Sequence, residues 1–376
     1  MLNKFGVPPK SIRLLSSLHE HVEVHFSVVG ARKSFDSTIG VKQGDTLGPL
    51  LFIFYIAGIM QVWRKTTTTK PIIFKTADDF VLTGRNHTLQ GDLFTFRDSE
   101  YADDTAAVFG DREDLEKGTN ELIEVFGRFG MDVHTGHANK PSKSEAMFVP
   151  KPTQSYDNPE TFDNATITPI NTGNQTSIPL VKEFRYLGSV QSSLASDSPD
   201  VEARVSAASR AFGSLRSTLF KNRSISFKAK AAVYKSLVIP IVLYGSETWT
   251  LRKSDENTQE SFNNACLRSM YNITKYAQRV SHVSSNDIRN SLQLPTLISL
   301  RRRNLLRWTG HIARMPYSRL PKKMLSCWIN SRRPTGAPEM TFGRSLTRTI
   351  QQAGITRWSS RAQDRKGWRS IISNSD

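Results

Sequence analysis

The hydrophobic period changes along the chain, and this change limits the fold more than any single residue does. Apolar and polar residues alternate over Val22–Val29, Phe74–Leu82 and Leu93–Phe109, the pattern of half-buried strands. Helical patterns lie among them: Ser11–His21, an apolar run over Pro49–Trp63, and Leu115–Phe129 with one apolar face ending at Gly130. A further strand is expected at Ala146–Val149. Beyond Gly188, Val201, Val205, Ala208, Phe212, Leu215 and Leu219 recur at steps of four and three, which lays a single seam along a helix. Phe227–Leu243 and Glu260–Ile273 supply partners for that seam. Strands mixed with helices, then helices alone, predict an α+β chain with an all-helical second half.

At 376 residues the chain can bury two or three cores. A polar stretch at about 150–178, rich in Pro, Thr, Asn and Asp, reads as an excursion that carries no chemistry. The run Leu47–Trp63 is short for a membrane span and holds Pro49, Gly58 and Gln61, so a helix under a sheet suits it better and no membrane partner is expected. Two cysteines, Cys266 and Cys327, exclude a disulfide framework and a four-cysteine zinc site, and point to a reducing, intracellular compartment.

Lysine and arginine outnumber aspartate and glutamate by 51 to 34, a net charge of +17. An excess of this size calls for an anionic partner, nucleic acid first. Its densest part is free of acids from Asp287 to Glu339 and includes Arg301, Arg302, Arg303 and Arg307. Such a row can track phosphates or simply solvate a helix face. Trp308 within it either stacks on bases or packs inward.

The sharpest local signal is Tyr101-Ala102-Asp103-Asp104 between two alternating stretches. Adjacent carboxylates at a hairpin tip can meet a divalent cation without desolvation in an apolar layer. By itself an acidic pair in a turn more often caps or solubilises, and Ala77-Asp78-Asp79 repeats the string without the tyrosine.

Context lifts the first copy above the second. Gly40-Val41-Lys42-Gln43-Gly44-Asp45-Thr46-Leu47-Gly48-Pro49-Leu50-Leu51-Phe52 precedes it; Phe129-Gly130-Met131 through Lys143-Ser144-Glu145-Ala146-Met147 and then Phe184-Arg185-Tyr186-Leu187-Gly188 follow. In that order these segments resemble motifs B, C, D and E of reverse transcriptases, nearest to those of non-long-terminal-repeat (LINE-type) retrotransposons. Leu243-Tyr244-Gly245-Ser246-Glu247-Thr248-Trp249, Leu306–Pro316 and Ala362-Gln363-Asp364-Arg365 extend the resemblance over nearly the whole chain.

The resemblance implies a partial palm over 1–190, an antiparallel sheet with packed helices, followed by a helical thumb over 191–280 and a basic helical region over 281–376. It implies RNA-directed DNA polymerisation on an RNA template and DNA primer with deoxynucleotide triphosphates, using Mg²⁺ or Mn²⁺. Asp103 and Asp104 take the place of metal-binding carboxylates. Gln43 and Gly44 open the helix beside the nascent base pair, although Thr46 and Gly48 depart from the usual proline and serine. Lys143, with Lys140 as a competitor, sits where a cation meets the leaving pyrophosphate, and Tyr186, Leu187 and Gly188 form a hairpin against the primer. Nuclear residence is implied only in so far as such templates meet chromosomal DNA there.

A further metal-binding aspartate, in motif A, lies in this family shortly before the Phe5-Gly6-Val7-Pro8-Pro9 segment. The chain is therefore expected to be an N-terminally truncated polymerase lacking fingers and motif A, inactive alone. Phe35-Asp36-Ser37 is a poor substitute because it abuts motif B directly. A catalytically dead, nucleic-acid-binding remnant is the alternative expectation.

Overall fold

The computed structural model describes residues 1–38, 40–41, 44–76, 91–136, 140–149, 166–167, 177–329 and 342–373. The chain is α+β and divides into two compact units, one of residues 1–72, 95–144 and 166–179, the other of 73–94, 145–165 and 180–376.

In the first unit, α1 (Pro9–His19) begins on proline, whose missing N–H costs nothing in a first helical turn. β1 (Glu23–Val28) and β2 (Ala31–Asp36) form an antiparallel hairpin closing on Val29-Gly30, both left-handed. The apolar run becomes α2 (Gly48–Thr66). Next along the chain, β3 (Ile72–Thr76) belongs, but for Ile72, to the second unit, β4 (Leu93–Phe96) falls at the boundary of the two, and β5 (Asp98–Tyr101) and β6 (Asp104–Ala107) return to the first. α3 (Arg112–Arg128) starts where Asp111 accepts the Asp114 N–H at 2.8 Å, satisfying one of the free donors of a first turn.

Ile56, Ile59, Met60 and Trp63 of α2 pack on Val125 and Phe126 of α3. Each buried side chain of this size contributes about 1.5–3 kcal/mol, so this seam holds the unit together. Glu121 of α3 accepts hydrogen bonds from Thr67 and Thr68, fixing the exit of α2. Among the described residues no helix is long and apolar enough to cross a membrane. The short strands β7 (Thr166–Ile167) and β8 (Ile178–Pro179) pair at the borders of the polar excursion, most of which lies outside the described residues.

In the second unit, β9 (Glu183–Tyr186) and β10 (Ser189–Ser192) form a hairpin. The helices α4 (Ser198–Ser214), α5 (Phe227–Val233), α6 (Ile239–Val242), α7 (Lys253–Met270), α8 (Lys275–Val280), α9 (Ser285–Ser291), α10 (Leu297–Ala313) and α11 (Leu320–Leu325) come next. The strand β11 (Cys327–Ile329) then joins a three-stranded sheet of order β11-β3-β4. The helices α12 (Phe342–Gln352), α13 (Trp358–Arg361) and α14 (Arg365–Ser373) follow.

Two segments, Arg216–Phe220 and Tyr234–Val238, wind as π-helix. The second lies just before Pro240, which cannot donate and whose ring crowds the carbonyl four residues back, so the wider register relieves it. The core behind both segments is aromatic: Phe212 stacks on Phe220 at 4.2 Å and Tyr234 meets each ring edge-on. A second core gathers Leu306, Ile312, Leu346, Ile350 and Trp368 from α10, α12 and α14.

The strand expected at Ala146–Val149 is not formed. Ala146 makes one isolated parallel bridge to Leu180, and Val181 N–H donates to Ala146 O at 2.7 Å. Pairing across so long an excursion supplies too few local contacts to extend the ladder.

Candidate active site

β5 and β6 pair from Asp98↔Ala107 to Tyr101↔Asp104, leaving Ala102 and Asp103 as a two-residue turn. Ala102 sits at φ 55°, the left-handed backbone that two-residue hairpin turns require in order to follow strand twist. Tyr101, Asp103 and Asp104 are exposed, and among the described residues neither aspartate carboxylate has a hydrogen-bond or ion-pair partner. Both carboxylates thus face solvent, with acceptor oxygens open to a hard cation. Among the described residues no group of three or more His, Cys, Asp or Glu side chains could hold a metal ion.

The base of this hairpin is braced by residues that the sequence did not single out. Arg64, in the last turn of α2, donates from Nε to Asp98 Oδ1 at 3.0 Å and from Nη2 to both Asp98 Oδ2 and Glu100 Oε1. The Arg64 guanidinium is raised above its ordinary value by the Asp98 hydrogen bond. Burial pushes the Glu100 carboxyl up to about 7, and its hydrogen bond with Asp98 adds to that against the pull of Arg64. The only local clue was a pair of acids two apart on a strand, hence on one face.

α2 begins within the Gly40–Phe52 segment. Gly44 is exposed at φ 88° with open space where a side chain would stand, and Asp45 Oδ1 accepts the Leu47 N–H at 3.1 Å as the helix opens. Gln43, Asp78 and Asp79 lie outside the described residues. Lys143 and Lys140 are both exposed, and the Lys143 backbone N–H donates to His134 Nδ1 at 3.1 Å. Asp36 ends β2 opposite Glu23.

In the second unit, the β9–β10 hairpin turns through Leu187 (φ 48°) and Gly188 (φ 85°) between the paired Tyr186 and Ser189. Phe184 and Tyr186 stack at 6.2 Å along one face. Tyr244 Oη–H donates to Leu187 O at 3.0 Å, and Arg204 donates to Gly188 O while lying 4.3 Å over the Tyr244 ring. Buried Asp200 accepts from Val190 N–H at 3.0 Å and from the Trp249 indole at 2.9 Å, and pairs with Arg204 at 3.4 Å.

The basic row on α10 does not present one face. Arg301 is buried and paired with Glu256 of α7 at 2.7 Å, and burial lowers its pKa. Its place four residues from both Leu297 and Leu305 puts it on the helix's buried stripe, so its expected role as a phosphate contact is corrected. Arg302 and Arg303 are half-buried, and Arg307 is exposed. Trp308 packs inward, edge-on to Phe342 at 5.7 Å.

No protein-family model matches the chain. A Caenorhabditis elegans protein described as transposon-derived and uncharacterized is 26% identical over 279 residues, covering 72% of this chain and 93% of that protein. A retrovirus-related Pol polyprotein from the type-1 retrotransposable element R1 of Nasonia vitripennis is 30% identical over 115 residues, covering 29% of this chain and 34% of the polyprotein. With transposon-derived and retrotransposon proteins as its relatives, the chain is retrotransposon-related in origin.

Proposed function

We propose that the chain is the palm and thumb of a non-long-terminal-repeat reverse transcriptase, which grips an RNA template and DNA primer and by ancestry joins deoxynucleotides to the primer. The observation that carries this reading is the exposed Asp103–Asp104 pair at the tip of a two-residue turn. Its supporting strand is tied by Arg64 to the helix that opens beside Gly44. The match to part of a Pol polyprotein supports the same reading.

All-oxygen donors suit Mg²⁺ or Mn²⁺, which is held by a few carboxylates together with substrate phosphates. Asp103 and Asp104 would hold it, and the bound ion would acidify the primer 3′ hydroxyl and offset triphosphate charge. Exposed Lys143 adds a cation for departing pyrophosphate. Among the described residues no third ligand joins Asp103 and Asp104, and two are few for a two-metal centre, so primer extension by the chain should stay near background. That carboxylate count also favours the second reading, a protein that binds nucleic acid without catalysis.

Binding of a labelled RNA–DNA hybrid across a salt series tests the part common to both readings. Affinity should fall by roughly 10³-fold or more between about 50 and 200 mM salt, as release of counterions from six or more phosphates requires. A salt-independent affinity would remove nucleic acid as the partner.

A further inference from the structure

The turn Leu187–Gly188 is exposed at its tip, with Leu187 in the left-handed region that a non-glycine residue enters at a cost of about 1–2 kcal/mol. Little packing defines such a tip. Its backbone carbonyls are instead taken by two donors from elsewhere in the unit: the Tyr244 hydroxyl at Leu187 O, 3.0 Å, and the Arg204 guanidinium at Gly188 O. The two donors are themselves stacked, 4.3 Å from guanidinium carbon to ring centre. Asp200, buried at the foot of α4, fixes the arrangement by its ion pair to Arg204 and by accepting the Trp249 indole N–H.

These contacts are denser than the hairpin needs for its own pairing, which its four-residue ladder already supplies. Both donors address the turn rather than the strands, so the direction of the tip is set by α4 and by the segment following α6. On the polymerase reading, that tip is the part that meets the primer.

We propose that Tyr244 and Arg204, oriented by Asp200, are positioning residues that aim the Leu187–Gly188 turn at the 3′ end of the primer strand. The inference rests on the reverse-transcriptase reading. The chain should therefore bind a hybrid with a recessed primer 3′ end more tightly than a blunt hybrid of equal length, because only the former offers a primer terminus beside a continuing template. Part of that preference should come from the aimed turn.

The test measures equilibrium binding of recessed and blunt RNA–DNA hybrids by wild type, Tyr244→Phe and Arg204→Lys. Tyr244→Phe keeps the ring under Arg204 and removes one hydroxyl donor; Arg204→Lys keeps the charge and removes the planar fork. Each variant should lose about three- to tenfold of the preference for the recessed end, the worth of one hydrogen bond. Blunt-hybrid affinity and salt slope should stay at wild-type values, and the melting temperature should fall by no more than the few degrees that one lost hydrogen bond costs.

A wild type that binds both hybrids equally, or variants that keep the full preference, would overturn the positioning role. So would an equal loss on both hybrids accompanied by a lowered melting temperature, because that is the signature of a merely structural bond. A wild type that binds neither hybrid would instead remove the polymerase reading on which the inference stands.

Discussion

Arg301 of α10 reaches across to Glu256 of α7 and donates to it at 2.7 Å, although it opens the most basic triplet in the chain. Both side chains are largely buried. The pair therefore ties two helices together, although Glu256 also accepts from exposed Lys253 at 3.1 Å and so keeps one cation when Arg301 is removed.

Arg301→Ala should accordingly destabilise the helical unit by about 1–3 kcal/mol, less than for a fully orphaned buried ion because Lys253 still faces Glu256, and leave the salt slope of hybrid binding unchanged. Arg302 and Arg307 together should behave oppositely. Their double replacement by alanine should flatten the log–log salt slope by about one to two with little change in stability. Urea unfolding and the salt series separate the two effects, and a flattened slope for Arg301→Ala would return it to the binding surface.

The Glu100 carboxyl gives the first unit a pH dependence. Burial and Asp98 push it up to about 7 from an ordinary 4.5, so the folded chain keeps this proton to higher pH than the unfolded chain. Its contribution is fully present below about 4.5 and is lost as pH rises through about 7. Thermal melts of wild type and Glu100→Gln should diverge as pH rises across that window, the variant becoming relatively more stable. Parallel melts would show that Glu100 ionises normally.

Gly310 lies under the Trp368 indole, which donates to Leu306 O at 2.9 Å, and a side-chain carbon on Gly310 would overlap that ring. Gly310→Ala gains up to about 1 kcal/mol of helix propensity but must push a buried ring off its hydrogen bond. A net loss of about 1–3 kcal/mol is expected, read by denaturant unfolding. A stabilised variant would show that α14 can move aside.

The elements readable in the sequence are those specified locally. The turn at Ala102-Asp103 is framed by two short alternating strands, and the α4 seam is written in apolar spacing alone. Arg64 stands 34 residues from Asp98 and Tyr244 stands 57 from Leu187, so no local period announces either contact. Arg301 is buried although it belongs to a basic row, because net charge ignores helical phase; Leu297 and Leu305 flanking it at four-residue steps mark the buried stripe. The strand expected at Ala146–Val149 failed for a related reason, since its partner lies beyond the polar excursion.

We propose that Asp103 and Asp104 belong to a polymerase metal centre. Fusing the chain behind the fingers and first catalytic aspartate of a related reverse transcriptase, then following primer extension on an RNA template in Mg²⁺, tests it most directly. The fusion should extend the primer, and Asp103→Asn should abolish extension by several orders of magnitude, because an amide cannot supply the charge that a metal pair needs. Asp36→Asn and Asp78→Asn should be nearly silent. Extension that survives Asp103→Asn but is lost with Asp36→Asn would contradict the assignment at its centre.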